Sequence, residues 1–252
     1  MRKTALLASI LAVAAVSVAL AAARGTAAPE PGLAHALKLT VQATSQRYAL
    51  HVRIRKGNTP MTLRIHGQAS ARTVSLRVRL GDLRLADGTT VPGSDGAALL
   101  DGPFLYERAP GGLAVFGKVR WLRLSLAELS SSSSDLTAIR AMTPEPLLRV
   151  LGEAHMHAAG SHIYRGVVPY DSPIVRAALT RLTGGLEFRS LRLRAYVGHD
   201  GLLHRLVLTG RTADGKTTLS IAAHLFGFGK AVHVQPPKPG TFMDKHLAEL
   251  GA

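Results

Sequence analysis

Residues 47–55 read RYALHVRIR, a strict alternation of polar and apolar side chains. Because successive side chains of a β-strand point to opposite faces of a sheet, this pattern predicts a strand with one apolar, buried face, called the dry face below, and one polar face exposed to solvent. Further strands are predicted at residues 63–66, 74–80, 121–126, 187–197, 203–211, 217–225 and 231–235. The Asp-Gly pairs between the predicted strands, at 87–88, 101–102, 200–201 and 214–215, are typical of tight hairpins. Consecutive strands are therefore expected to pair antiparallel in one sheet.

Two segments depart from this alternation and predict short helices. Thr143 followed by Pro144 is a start signal, with a capping residue and a proline in the first turn. Ser172 before Pro173 repeats that signal. The apolar residues of the two helices are Leu147, Leu148 and Leu151 in the first, and Ile174, Val175, Ala178, Leu179 and Leu182 in the second. Both helices need an apolar surface to cover, and the dry face of the sheet supplies it.

The predicted fold class is mainly β, of the α+β kind. About a dozen strands are too many to remain flat, so we expect a curled antiparallel half-barrel with helices on its concave face. The serine run at 130–134 is interpreted as a loop, because neither side of it has a complete pattern of its own. Residues 29–252 are therefore expected to form a single domain.

The composition limits what can stabilise this chain and what chemistry it can perform. Of its 252 residues 46% are apolar, which is enough for a sizeable core. Cysteine is absent, so disulfides, thiolate nucleophiles, cysteine zinc sites and a lipid-modified N-terminal cysteine are all excluded. The 31 Lys and Arg against 16 Asp and Glu give a net charge of +15, which favours anionic surroundings or a well-solvated exterior.

The N-terminus has the order of regions that marks a secretory signal. Arg2 and Lys3 precede an apolar run from Ala5 to Ala23, and small residues follow it. Residues 1–28 are therefore predicted to be a signal peptide, cleaved so that the mature chain starts between Arg24 and Pro29. The run just reaches the length that spans a membrane, so an uncleaved anchor is the alternative. Either outcome predicts export to the cell envelope, a periplasm-like space or the exterior.

Metal and catalytic chemistry have weak support. His155, His157 and His162 could offer imidazoles to a metal, since a His-x-His pair on a strand points both rings to one face. No acid follows Glu153 within this cluster, and solvent-exposed histidines in a connection are the favoured interpretation. No Gly-x-Ser-x-Gly elbow is present either. The sequence predicts no enzyme activity, no metal site and no cofactor.

The dry face poses the sharper question, because it could be a packed core or the lining of a cavity. Ten residues are assigned by alternation to this face and are the candidate lipid-contacting set: Leu50, Val52, Ile54, Leu63, Ile65, Val74, Leu76, Val78, Leu191 and Leu193. A packed core is the commonest reason for such a pattern. Two short helices offer limited material to fill so large a hollow, however, and an aliphatic lining suits flexible acyl chains.

Arginines occupy the opposite side of the same strands. The set comprises Arg47, Arg53, Arg55, Arg64, Arg77, Arg79, Arg192 and Arg194. A solvated outer face explains such rows, and the alternative is an anionic partner. No nucleic-acid partner is expected, since exported proteins seldom meet one and only 5% of residues are aromatic. An anionic membrane surface suits the compartment better, with Arg53, Arg55, Arg77 and Arg79 as the candidate contacts.

Several segments resemble, in order, those of one known family. Residues 101–108 (DGPFLYER), followed by Trp121 and Leu122, resemble its tyrosine and tryptophan strands. The segments that resemble its later helix, strands and hairpins are residues 143–148, 162–166, 196–206 and 226–230. This collinear order, over most of residues 36–244, is similar to the LolA-like group of actinobacterial exported proteins, the LppX- and LprG-like lipoproteins.

The resemblance implies a half-barrel whose concave face, closed by helices, holds acyl chains of lipids or lipoglycans in transit across the cell envelope. Members of that group carry an anchoring cysteine after the signal, and this chain has none. Attachment through a lipidated cysteine is therefore excluded. A sensory or scaffold domain of the same fold, binding a membrane protein, is the alternative function. Neither the identity of the lipid nor the oligomeric state can be predicted.

Overall fold

A computed structural model of the chain describes residues 30–57, 59–70, 73–84, 89–108, 120–127, 142–183 and 186–244. The predicted signal peptide and the serine run at 130–134 lie outside these ranges. The described part of the chain contains three helices: α1 (Pro31–Gln42), α2 (Glu145–Gly152) and α3 (Pro173–Thr183). Its strands are β1 (Ser45–Lys56), β2 (Thr59–Ser70), β3 (Thr73–Leu80), β4 (Leu83–Arg84), β5 (Thr90–Val91), β6 (Ser94–Asp101), β7 (Phe104–Arg108), β8 (Trp121–Ser125), β9 (His155–Gly160), β10 (Ile163–Val168), β11 (Phe188–Val197), β12 (Leu203–Thr212), β13 (Thr217–Phe226) and β14 (Phe242–Asp244).

Twelve of these strands form one sheet, in the order β14-β8-β7-β6-β3-β2-β1-β13-β12-β11-β10-β9. Every pair is antiparallel except β14 with β8, which is parallel. The chain therefore starts at the middle of the sheet, builds outward to β8, and then builds the other half from β9 back to β13, which pairs with β1. The short strands β4 and β5 pair separately. The predicted fold class, a mainly β chain with a curled antiparallel sheet and a few helices, is confirmed.

The hairpins follow the predicted turn chemistry. Gly102, Gly201 and Gly215, each preceded by aspartate, have positive φ values of 55°, 74° and 69°. Glycine adopts this left-handed backbone without the steric cost that a Cβ atom imposes. The Asp-Gly pairs therefore fix where β6, β11 and β12 end and their partners begin. The pair at 87–88 lies outside the described residues.

One predicted strand is wrong. Residues 231–235 have no strand structure, although the His233 carbonyl accepts a hydrogen bond from Gln68 Nε2 at 3.0 Å. The preceding strand, β13, is already paired on one side with β1 and on the other with β12, so it offers no free edge to a strand that follows it. The apolar alternation at 231–235 therefore lacks a partner for its backbone groups.

The helices correct the predictions in three details. The α2 N-cap position is occupied by Pro144 rather than Thr143, and no side chain caps the helix there. Ile174, assigned above to the apolar face of α3, is 46% exposed, whereas Val175 and Leu179 are fully buried. Helix α1 was not predicted. Its signals are Pro31 in the first turn and the apolar spacing of Leu33 and Ala36, which face the core.

The core lies between the apolar face of the sheet and the three helices. Cross-strand register places Val52 between Leu63 of β2 and Ile221 of β13, so apolar side chains from neighbouring strands lie side by side. Helix α1 is attached by Thr40, whose hydroxyl donates to the Ala36 carbonyl and accepts from the backbone N–H of Leu203 (both 2.8 Å). Helix α1 is thereby fixed to the start of β12.

Candidate functional site

The predicted lipid-contacting residues all lie on one face of the sheet, but their exposure divides the face in two. Seven of the ten belong to the buried core and are at most 7% exposed: Leu50, Val52, Ile54, Ile65, Leu76, Leu191 and Leu193. The inward side chains of β13, including Ile221 and Ala223, are equally buried. The packed core therefore extends from β1 across β13 to β11, and it also includes Ile65 of β2 and Leu76 of β3.

The other three residues, Leu63, Val74 and Val78, are only partly buried and pack against the edge of that core. Leu100 of β6 and Leu122 of β8 share this partial exposure. Register connects four of the five, because Val74 lies opposite Leu100, and Val78 lies opposite Ile65, two residues from Leu63. We call these five residues the apolar strip. Its residues lie on β2, β3, β6 and β8, on the same face as the core, and the fully buried Leu105 of β7 lies between the last two strands.

A polar atom lies at the boundary between the packed core and the apolar strip. The Tyr48 hydroxyl is buried and has no hydrogen-bond partner within the described residues. The phenol ring lies against Gly67 of β2, the strand at which the strip begins. Burial raises the pKa of Tyr48, because an ionised phenol would lose its hydration in this apolar surrounding, so the hydroxyl remains a donor. Sequence alternation had marked Tyr48 only as an inward-facing residue.

The predicted arginine rows lie on the opposite face. All eight arginines of the predicted set are exposed there, and register places Arg64 directly opposite Arg79 and His66 opposite Arg77. Arg79 also donates from Nε to Asp95 Oδ1 at 2.9 Å. This hydrogen bond lowers the pKa of the Asp95 carboxyl. Of the four predicted anionic-surface contacts, Arg79 is thus neutralised, whereas Arg53, Arg55 and Arg77 form no ion pair with a described acid.

The predicted histidine group is divided by the structure. His155 and His157 are exposed on the same side of β9, whereas His162 lies in the following turn with its ring 5.0 Å from that of His199. Among the residues that the structure describes, no group of three His, Asp or Glu side chains is close enough to hold a metal ion. None of the described helices is both long and apolar enough to cross a membrane.

Three kinds of comparison with known proteins were made, and one of them, the comparison with solved structures, found similar proteins. No protein-family model matches the sequence, and no curated protein matches it. The lipoprotein LppX from Mycobacterium tuberculosis is similar in structure at 15% identity, with 81% of this chain and 96% of that chain covered and a TM-score of 0.41. LprF from Mycobacterium bovis is similar at 13% identity, with 84% and 99% covered and a TM-score of 0.47.

A DUF1329 family protein from Desulfovibrio piger is similar at 9% identity, with 81% of this chain and 93% of that chain covered and a TM-score of 0.29. The two mycobacterial proteins are of the LppX- and LprG-like kind that the sequence motifs resemble.

Proposed function

We propose that this protein is a non-enzymatic lipid carrier of the cell envelope, which shields acyl chains from water on the apolar strip. The main observation in support is that the side chains on one apolar face of the sheet are buried to different degrees. The β1, β13 and β11 part is packed by helices, whereas Leu63, Val74 and Val78 keep exposed apolar surface beside it. Exposed aliphatic surface that continues a hydrophobic core is a binding surface for an apolar ligand.

The energetics of such a surface suit reversible transfer. Each methylene removed from water contributes about 0.8 kcal/mol, so a partly covered long chain binds usefully without being trapped. The ten predicted contacts then have two roles. Leu63, Val74 and Val78 contact the acyl chain, and the seven buried residues, among them Leu76 and Leu193, form the wall against which the chain lies.

Tyr48 would serve the polar end of the ligand. Its hydroxyl faces inward and is buried without a hydrogen-bond partner in the described structure, as is Oε1 of Gln46 two residues earlier on β1; of the two atoms, only the hydroxyl is a donor. An ester carbonyl of a lipid would accept its hydrogen bond and satisfy a group that is otherwise left unpaired. The ligand class is therefore an acyl lipid or lipoglycan, and no cofactor is needed.

The proposed setting is the envelope, after export directed by residues 1–28. The arginine face gives a second proposed contact, an anionic membrane surface met by Arg53, Arg55, Arg77 and Arg79. Since such contacts are screened by salt, binding to acidic vesicles should weaken steeply as the ionic strength rises. Charge reversal at these four arginines should abolish it while the fold is retained.

Native mass spectrometry of the protein purified from its own envelope tests the carrier function. We expect a bound species with the mass of an acyl lipid, which is removed by extraction with organic solvent. A protein that is ligand-free after gentle purification, and that takes up no lipid on incubation with envelope extract, would contradict the carrier function and favour a scaffold that binds a membrane protein.

A further inference from the structure

The arginine face contains a groove that is built differently from the rest of that face. The groove is open, has a volume of about 630 Å³, and has Arg53 and Arg55 of β1 on one side. Arg192 of β11 lies on the other side and Arg211 of β12 at the end. Hydroxyl side chains lie between them: Ser190, Thr209, Thr218 and Ser220. We call this feature the arginine groove.

The register of four adjacent strands produces this arrangement. One cross-strand row reads Arg53, Ser220, Thr209, Arg192, and the next reads Arg55, Thr218, Arg211, Ser190. Because neighbouring strands lie about 4.8 Å apart, the backbone positions of Arg53 and Arg192 are separated by about 14 Å across the groove. In the first row, short hydroxyl residues on the two central strands lie between the arginines of the outer strands, and in the second row Arg211 of β12 closes the end of the groove.

Within the described residues, no acid neutralises the charge of the groove. None of its four arginines forms an ion pair with an acid in the described part of the chain. The Arg55 side chain is oriented by the hydrogen bond that Nε donates to the Gly57 carbonyl at 3.0 Å, at the hairpin between β1 and β2. Elsewhere on this face, Arg79 is paired with Asp95. The groove therefore concentrates four cations without a resident counter-ion.

We propose that the arginine groove is a binding site for phosphate groups. Guanidinium groups bind phosphate oxygens in a bidentate manner, and serine and threonine hydroxyls are further donors to the same oxygens. The site lies on the opposite face from the apolar strip, so it does not depend on the proposed acyl-chain binding. The phosphate belongs either to the headgroup of a phospholipid or to a free phosphorylated compound.

Calorimetric titration with inorganic pyrophosphate at low ionic strength tests the site. The variant Arg53→Gln/Arg192→Gln removes one cation from each side of the groove. The matched control Arg64→Gln/Arg194→Gln removes the same charge from exposed positions on the same face that lie outside the groove and outside the four proposed membrane contacts. We expect the dissociation constant to rise at least tenfold in the groove variant and less than twofold in the control, with unchanged melting temperatures in both.

Vesicles distinguish the two sources of phosphate. If phosphatidylglycerol vesicles bind, are displaced by pyrophosphate, and lose binding in the groove variant, the site recognises a lipid headgroup. If pyrophosphate binds without competing with vesicles, the site takes free phosphorylated compounds. The proposal is overturned if wild-type protein does not bind pyrophosphate, or if the groove variant and its control weaken binding equally, since a uniformly charged outer face would then explain the arginines.

Discussion

The phenol ring of Tyr48 lies against the backbone of Gly67, and a side chain at residue 67 would overlap with it. The two residues are directly opposite each other on β1 and β2, at strand positions that face the apolar side of the sheet. A glycine inside a strand normally weakens it, because it offers no side chain for packing. Here the ring of Tyr48 fills the space that a side chain at residue 67 would occupy. The position of the Tyr48 hydroxyl, at the boundary of the apolar strip, depends on this pair.

Gly67→Ala should therefore destabilise the protein by about 1–3 kcal/mol, because the added methyl group displaces a ring in a close-packed interior. Urea denaturation of the wild type and the variant measures this loss. In a Tyr48→Leu background the same substitution should cost much less, since the ring that it displaces is gone. An equal cost in both backgrounds would mean that Gly67 is required for another reason.

Tyr48→Phe should leave stability unchanged or raise it by about 1 kcal/mol, because it removes a buried hydroxyl that has no partner. The matched control is Tyr170→Phe, since the Tyr170 hydroxyl donates to the Leu186 carbonyl at 3.0 Å. Its loss should cost about 0.5–1.5 kcal/mol. Denaturation midpoints of the two variants should thus move apart. If Tyr48→Phe is as destabilising as Tyr170→Phe, the Tyr48 hydroxyl has a partner in the ligand-free protein.

The hairpin between β12 and β13 should make the free energy of unfolding depend on pH. The Thr212 hydroxyl and the Lys216 backbone N–H both donate to Asp214, and they lower the pKa of its carboxyl. A lowered folded-state pKa means that this stabilisation is present above the ordinary aspartate pKa of about 4, and is lost as the pH falls through the lower folded value. Melting temperatures of the wild type and Asp214→Asn should differ most at neutral pH and converge towards pH 3. A difference that is constant with pH would contradict this role.

Besides its backbone pairing with β8, the edge strand β14 is held by the side chain of one arginine. Arg123 donates from Nε and Nη2 to the two oxygens of Asp244 at 2.6 and 2.9 Å. Its guanidinium also lies 4.8 Å from the ring centroid of Phe104 and 4.7 Å from that of Phe242. Lysine cannot reproduce this planar, bidentate contact. Arg123→Lys should cost about 1 kcal/mol and speed amide exchange in β14.

Arg79→Lys is the control for that experiment. The Arg79–Asp95 pair has side chains that are 68% and 53% exposed, and the Arg79 guanidinium has no aromatic neighbour within the described structure. Its replacement should leave both stability and β14 exchange unchanged. Equal exchange rates in β14 for the wild type and Arg123→Lys would show that backbone pairing with β8 is sufficient to hold the strand.

Much of this architecture could be predicted from the sequence because it depends on local patterns. The alternation at residues 47–55 identified β1 and its buried face, and the Asp-Gly pairs at 101–102, 200–201 and 214–215 located hairpins. The strand predicted at 231–235 failed for a reason that is not local. Its pattern is suitable, but the neighbouring strand edges are already occupied.

The candidate sites could not be predicted from the alternation of polar and apolar residues, because they depend on tertiary packing and on strand pairing. The pattern placed Leu76 and Val78 on the same face, yet Leu76 is 2% exposed and Val78 keeps part of its surface, because cover by other elements differs between adjacent positions. Arg211 was not singled out, since its place beside Arg55 results from the pairing of β1, β13 and β12. The sequence of one strand is enough to predict which side chains share a face, whereas predicting a groove requires knowing how several strands pair.

Whether the apolar strip holds acyl chains is tested most directly with the variant Val78→Phe. Its binding of a fluorescent fatty acid and its melting temperature are measured together. Val207→Phe is the matched control, since Val207 is partly exposed on the opposite face of β12. Leu76→Phe overfills the packed core and should cost about 1–3 kcal/mol.

We expect the wild type to bind the probe, Val78→Phe to bind it at least tenfold more weakly with little change in melting temperature, and Val207→Phe to bind it like the wild type. No binding by the wild type, or equal loss in the two valine variants, would contradict it.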